Sequence, residues 1–186
     1  MTAMPTREPA RLVGLTAAQL RMRLDEALRI YVTAMRYPPG TARHRSPMWR
    51  EHMLRAGWLC VAAFEADTMV GVGYGYQGAP GQWWHDEVQR GLLLIDPAAA
   101  DRELADYFEL TELHVHPQAQ GRGIGKALLT ELLSRVEAPR ALLSTPEGPT
   151  RAWRLYRRLG FTDLLRHYHF TGDSREFAVL SRTLPL

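Results

Sequence analysis

A strand that enters a glycine-rich loop and then an apolar helix is the feature that most constrains this fold. The segment ELHVHP (112–117) ends at Pro117, QGRGIG (120–125) places three glycines in five positions, and GKALLTELL (125–133) follows with helical spacing. At such a helix start, backbone amides without partners point outwards and the helix dipole favours negative charge. The loop therefore predicts an anion site, with phosphate as the first candidate.

The glycine pattern differs from two well-known phosphate-binding motifs. Gln120 occupies the first glycine position of a Walker A motif, and Ala127 stands where that motif needs Ser or Thr for magnesium. Gly121 and Gly123 are followed by Lys126 where the dinucleotide fingerprint has its third glycine. An isolated glycine loop can be a simple tight turn, but the flanking strand and helix favour a different pyrophosphate ligand.

The other segments predict a mixed α/β fold in one domain over residues 1–186. Residues 1–10 lack periodicity and are expected to form a loose N-terminal arm. Strands are predicted at 10–15, in a hairpin over 58–76, and at 106–117, 140–145, 161–172 and 176–184. Helices are predicted at 16–35, 46–57, 125–137 and 149–160, and 77–105 is expected to be a loop followed by one or two short helices. This order indicates a mixed sheet flanked by helices.

Composition and charge narrow the class of protein. No charged segment followed by a long apolar stretch opens the 186 residues, so we expect neither a signal peptide nor a membrane span. Cys60 is the single cysteine, which excludes an intramolecular disulfide, and a cytoplasmic protein is expected. Only Lys126 among the 23 cationic residues is a lysine. This arginine preference indicates a coding bias, so the arginines are weak evidence for nucleic acid binding. We expect no nucleic acid partner and, without a long apolar stretch, no membrane partner.

Three segments together resemble the GCN5-related N-acetyltransferase (GNAT) family. QGRGIG (120–125) is similar to the family's acetyl-CoA loop, FELTELHVHP (108–117) to its fourth strand, and RAWRLYRRLGF (151–161) to its tyrosine-bearing helix. The resemblance implies an acyl-CoA N-acyltransferase fold of the GNAT type. Its central sheet is mixed, mostly antiparallel, flanked by helices and splayed between strands four and five. Acetyl-CoA is the implied co-substrate.

The resemblance also implies which residues hold acetyl-CoA. The pyrophosphate is expected at Gln120, Gly121, Arg122, Gly123, Ile124, Gly125 and Lys126. The Arg122 and Lys126 side chains could equally be solvated surface charges. The pantetheine arm is expected along the strand backbone at Leu113, His114 and Val115, beside a bulge. Pro149 stands where the family often has a CoA-binding asparagine, so Ser144 or Arg151 is expected to replace that contact.

Two glutamates and a tyrosine are the candidate catalytic residues. Acetylation of an amine needs a base, because an alkylammonium has a pKa of about 10.4, and an acid for the leaving thiolate. Glu109 lies at the family's usual base position, six residues before Val115, and Glu112 is a second carboxylate on the same strand. Strand alternation predicts that the two face opposite sides, with Glu112 beside His114, although a bulge would change this. Tyr156 matches the family's general acid, and its ring is predicted to point inwards.

The sequence favours an N-acetyltransferase that transfers the acetyl group directly to a primary amine of a small molecule or peptide. The alternative is a non-catalytic acyl-CoA-binding or sensing protein, and the presence of both Glu109 and Tyr156 favours the enzyme. No metal is expected, because the His114 and His116 pair lacks a known ligand spacing. The oligomeric state, including a homodimer, stays open.

An acceptor cleft is expected near several tryptophans and acids. The residues assigned to it are Trp49, Trp83, Trp84, Asp86, Asp101, Glu103 and Asp106. Such a cleft would suit a cationic, partly apolar amine.

Overall fold

Seven strands form one sheet in a computed structural model that describes residues 9–186. The strands are β1 (Arg11–Gly14), β2 (Leu59–Glu65), β3 (Thr68–Gln77), β4 (Phe108–Val115), β5 (Arg140–Pro146), β6 (Thr162–Tyr168) and β7 (Phe177–Thr183). Their order in the sheet is β1-β2-β3-β4-β5-β7-β6. All predicted strands are confirmed. Most of the predicted N-terminal arm lies outside the described residues.

The sheet is mixed and splayed at its centre, as predicted. Neighbouring strands are antiparallel except for β4 and β5, which run parallel. These two strands pair only at Phe108 with Ala141 and at Glu109 with Leu142. Beyond these pairs β4 and β5 separate, so a gap opens in the middle of the sheet.

Seven helices flank the sheet in the described part of the chain. They are α1 (Ala17–Met22), α2 (Leu24–Met35), α3 (Thr41–His52), α4 (Trp83–Ile95), α5 (Pro97–Glu103), α6 (Ile124–Leu133) and α7 (Arg151–Arg158). None of the helices within residues 9–186 has the length and apolar character needed to cross a membrane. The 77–105 segment contains α4 and α5, which agrees with the predicted loop and short helices.

Alternate residues of the strands enter cores on opposite faces of the sheet. On β2, Ala62 and Phe64 join the core under α2 and α3, whereas Val61 and Ala63 join the core under α6. The core beneath α4 and α5 contains Leu142 of β5. The sheet therefore separates α6 and α7 from the layer formed by α2, α3, α4 and α5. The Cys60 thiol is buried, which raises its pKa to about 12 and agrees with the expected core position.

Two helix boundaries differ from the prediction. The single helix expected over 16–35 is interrupted at Arg23, whose side chain binds Glu26 and donates to the Asp67 carbonyl (2.6 Å). The second helix was expected to begin near Pro47, but α3 begins at Thr41 and contains Pro47. The earlier start is stabilised because the Thr41 amide donates to the Pro38 carbonyl (2.9 Å).

A bulge in β4 sets the direction of the residues that follow it. Tyr74 pairs with Glu112 and Gly75 with Leu110, so Thr111 is an extra residue on β4. The opposite position must be a glycine, because a Cβ on Gly75 would lie 2.1 Å from the Glu109 carbonyl oxygen. The close approach of two backbones therefore depends on Gly75.

We predict that Gly75→Ala lowers the free energy of unfolding by about 1–3 kcal/mol, because the added methyl group must displace backbone. Urea denaturation measures the loss. Gly40→Ala is the matched control, since a Cβ there meets nothing within 4 Å. Equal stability of the two variants would contradict the close approach at the bulge.

Candidate functional site

A cavity lies on each face of the sheet near the gap between β4 and β5. The first, called the loop cavity, has a volume of about 170 Å³ and is bounded by Gln120, Gly123 and Tyr156 among others. The second, called the glutamate cavity, has a volume of about 560 Å³ and is bounded by Trp84, Glu109 and others. The two cavities share no lining residue among those of the described chain.

The glycine loop presents backbone donors to the loop cavity. Gly121 and Gly123 have φ values of +77° and +80°, a conformation that favours glycine, and α6 begins directly after Gly123. No side chain caps the start of this helix in residues 9–186. Gln120 ties the loop to the strand, because its Nε2 donates to the Val115 carbonyl (2.9 Å). The first amides of α6 are therefore available to an anion.

Most of the predicted cofactor residues meet at the loop cavity. Those that line it are Leu113, Val115, Gln120, Gly121, Gly123, Ile124, Gly125 and Arg151. A Cβ placed on Gly121 would come within 3.3 Å of Arg151 Nη1, which brings this arginine against the loop. Residues that are distant in sequence therefore form one wall that combines backbone amides with a guanidinium group.

Four predicted cofactor residues point elsewhere. Arg122 forms an ion pair with Glu65 (2.5 Å), and Lys126 is exposed outside the loop cavity. The His114 ring contacts Glu112, with 2.5 Å between Nε2 and Oε2. Ser144 lines the glutamate cavity, where its Oγ accepts from Trp84 Nε1 (3.0 Å).

Tyr156 lies where α7 meets the loop cavity. Its ring is buried and packs edge-on against Phe161, with 5.6 Å between ring centroids, as the inward prediction requires. No group of the described residues forms a hydrogen bond with its hydroxyl, so the hydroxyl proton is free to be donated to a ligand. Burial raises the pKa of this hydroxyl, and the negative charge of Glu112 raises it further. Tyr156 therefore keeps its proton at neutral pH.

The two candidate bases lie on the same face of the sheet, so the alternation prediction was wrong. The bulge at Thr111 shifts the alternation of side chains along β4 by one residue. Glu109 lies opposite Tyr76 of β3, and Glu112 lies opposite Tyr74. Both carboxylates line the glutamate cavity. The prediction that Glu112 shares a side with His114 is confirmed.

Comparisons with known proteins agree with this geometry. A family model described as an acetyltransferase (GNAT) domain matches residues 57–163. A GCN5-like protein acetyltransferase from Mycobacterium tuberculosis is 50% identical to this chain in an alignment of 202 positions, gaps included. The alignment covers 94% of this chain and 98% of that protein. The chain belongs to the GNAT family. Acetyl-CoA is the co-substrate of these enzymes.

Solved structures show the same fold at low sequence identity. A Salmonella typhimurium protein solved with its cofactor acetyl-CoA has a TM-score of 0.64 and 14% identity, covering 96% of each chain. The PaiA N-acetyltransferase from Thermoplasma acidophilum, in complex with coenzyme A, has a TM-score of 0.61 and 14% identity, covering 95% of this chain and all of that one. The splayed sheet is therefore the GNAT fold.

Glu109 is the most perturbed carboxyl group at the GNAT site. Glu109 is 3% exposed, and its Oε1 accepts hydrogen bonds from Tyr76 Oη and Thr111 Oγ1, both at 3.3 Å. Oε2 is buried with no hydrogen-bond partner among the described residues. Burial raises the pKa of Glu109 from 4.5 to about 7, and the Arg55 charge opposes that rise.

The other charged and titratable groups near Glu109 come from several elements. Arg55, which follows α3, donates to Tyr76 Oη (2.6 Å), so a chain of hydrogen bonds connects it to Glu109. Glu112 is on the same strand, and its charge raises the pKa of Glu109. Tyr74 and Tyr107 remain neutral, because burial and the charge of Glu109 both raise their pKa values.

The glutamate cavity differs from the acceptor cleft expected from sequence. Trp83 and Trp84 line it as expected, but Trp49 is fully buried in the core. The four acids assigned to the cleft do not line it: Asp86, Asp101, Glu103 and Asp106. Glu103, for example, forms an ion pair with Arg140 (2.7 Å).

The residues that the α3 region contributes to the site carry no motif in the sequence. Arg45, His52 and Arg55 line the glutamate cavity, as does Tyr76 of β3. Arg45 and His52 are seven residues apart and lie on one face of α3, and Arg55 follows the end of the helix, but no motif identified this region as part of a site. His52 is uncharged near neutral pH, because burial and the neighbouring arginines lower its pKa to about 4.

We predict that Arg55→Met raises the pKa of Glu109 above about 7 by roughly one unit, because an opposite charge that favours the carboxylate is removed. Nuclear magnetic resonance of ¹³C-labelled glutamate, assigned with Glu109→Gln, measures the pKa. Arg55→Lys should keep most of the effect. Arg50→Met is the control, since Arg50 is exposed and has no ion pair in residues 9–186. An unchanged pKa in folded Arg55→Met would contradict this role.

Proposed function

We propose that the protein is an N-acetyltransferase that transfers the acetyl group of acetyl-CoA directly to a primary amine of a protein or peptide. The observation that carries the proposal is the buried Glu109 carboxyl, which lines a cavity at the gap in the sheet and has a pKa of about 7. The 50% identical relative is a protein acetyltransferase, which favours a protein amine over a small molecule. The dependence on acetyl-CoA supports action in the cytoplasm.

The loop cavity is the proposed position of acetyl-CoA. The helix-start amides and Arg151 would bind the pyrophosphate, and open space faces Gly123, where a Cβ would meet nothing within 4 Å. Leu113 and Val115 line the same cavity, on the part of β4 that does not pair with β5, and their backbone would pair with the pantetheine arm. When bound, acetyl-CoA supplies a thioester carbonyl that an amine can attack.

Glu109 is the proposed general base. It is partly ionised at neutral pH, and its unpartnered Oε2 can accept a proton from the ammonium group or from an intervening water. Glu112 lines the same cavity and is the alternative base, with His114 bound to it. The neutral amine then attacks the thioester, and no covalent enzyme intermediate is needed.

The proposal is tested by mass spectrometry of lysine peptides and small amines incubated with purified protein and acetyl-CoA. We expect acetylated peptides, with kcat/KM rising to a plateau above about pH 7 as Glu109 ionises. Glu109→Gln must use free amine, whose parent pKa is about 10.4, so its deficit should be largest near pH 7 and shrink towards pH 10.

Two results would change the proposal. If Glu112→Gln shows the changed pH profile and Glu109→Gln does not, Glu112 is the base. If acetyl-CoA binds but no amine is acetylated, the protein is an acyl-CoA-binding or sensing protein instead of an enzyme.

Tyr156 is the proposed acid that protonates the departing thiolate. Its hydroxyl is free of hydrogen bonds within residues 9–186, and it lines the loop cavity beside the thioester position that we propose.

We predict that Tyr156→Phe lowers kcat by roughly 10²- to 10⁴-fold, the usual contribution of general acid catalysis. The ring packing against Phe161 is retained, so the melting temperature and acetyl-CoA affinity should change little. Steady-state kinetics, calorimetry and thermal unfolding of the variant provide the comparison. Unchanged kcat would leave Tyr156 with a packing role only.

A further inference from the structure

The charges that line the glutamate cavity are divided between two walls. The α3 side contributes the guanidinium groups of Arg45 and Arg55 together with the Glu51 carboxylate, which pairs with Arg55. The β4 side contributes the carboxyl groups of Glu109 and Glu112. A cavity of this kind has a positive and a negative end. It would therefore orient a ligand that carries charges of both signs.

The two arginines differ in their partners. Arg55 donates to Tyr76 Oη (2.6 Å) and lies 3.7 Å from Glu51, so internal groups hold it in place. Arg45 has no ion pair with any residue in 9–186, and Nη1 contacts Met48 Sδ (3.6 Å), a weak acceptor. Its guanidinium also lies beside the Tyr31 hydroxyl, where its charge and a side-chain hydrogen bond oppose the rise of the Tyr31 pKa that burial causes. The guanidinium of Arg45 is therefore available to a ligand.

The groups near Arg45 do not neutralise it. Tyr31 stays uncharged, because burial and the negative charge of Glu112 raise the pKa of its hydroxyl. The charge of Arg45 acts on Asp173, but that carboxylate is held by Arg175, with 2.6 Å between Nη2 and Oδ2. Burial and the two arginines keep His52 uncharged by lowering its pKa to about 4. A carboxylate is the ligand group that matches a free guanidinium best, because it can accept two parallel hydrogen bonds.

We propose that the acceptor is a protein segment in which an acidic residue lies beside the acetylated amine, and that Arg45 binds this acid. The amine would face Glu109 and Glu112, while the neighbouring carboxylate would face Arg45 at the opposite wall. This inference rests on the proposed function, since it assigns the acceptor of that reaction. It makes Arg45 a specificity-determining residue.

The test is a peptide library with one fixed lysine and randomised flanking residues, incubated with the protein and acetyl-CoA. Sequencing of the acetylated products by mass spectrometry should show Asp and Glu enriched roughly two- to fivefold near the lysine, the usual contribution of one ion pair with an exposed arginine such as Arg45. Arg45→Gln should lose this enrichment, and Arg45→Glu should favour basic neighbours. Arg43→Gln is the matched control, because Arg43 is exposed on α3 and does not line the cavity.

The remaining outcomes of the library experiment distinguish a failure of this inference from a failure of the proposed function. Acetylated products without acidic enrichment, or an enrichment that persists in folded Arg45→Gln, would overturn this inference and leave the proposed function intact. A library without any acetylated product would overturn the proposed function and this inference together. Thermal unfolding confirms that each variant is folded.

Discussion

The separation of β4 from β5 is the constraint on which the candidate site depends. The strands pair only at Phe108 and Glu109 of β4, so the edge of β4 beyond these residues has no neighbouring strand. Unpaired backbone groups need water or a ligand, and a free strand edge can accept an extended ligand. Tyr156 lines the cavity on one face and Glu112 lines the cavity on the other, and the charge of Glu112 raises the pKa of Tyr156.

The bulge at Thr111 determines which side chains share a face. Without it, Glu109 and Glu112 would lie on opposite faces of a regular strand. The extra residue brings both into the glutamate cavity, and Gly75 allows the backbones to approach closely enough for this pairing. A single insertion and a single glycine on the neighbouring strand thus place two acids within one cavity.

Local features of the sequence were sufficient to predict the loop and its helix. The glycine loop before α6, the start of that helix and the inward ring of Tyr156 each depend on residues within a few positions, and the structure agrees with these predictions. Predictions that depend on distant contacts were less successful. Ser144 faces Trp84, which is 60 residues away in sequence, and the contact of Arg55 with Tyr76 arises from packing that no periodic pattern encodes.

A buried carboxyl group at Glu109 does not stabilise the fold at neutral pH. Its pKa of about 7 exceeds the ordinary value of 4.5, so the folded chain binds this proton more tightly than the unfolded chain. The free energy of unfolding therefore falls as pH rises between these two values, by an amount on the order of 3 kcal/mol. A buried amide or leucine would avoid this loss. A carboxyl group that destabilises the fold, lines a cavity and ionises near neutral pH is suited to accept a proton there.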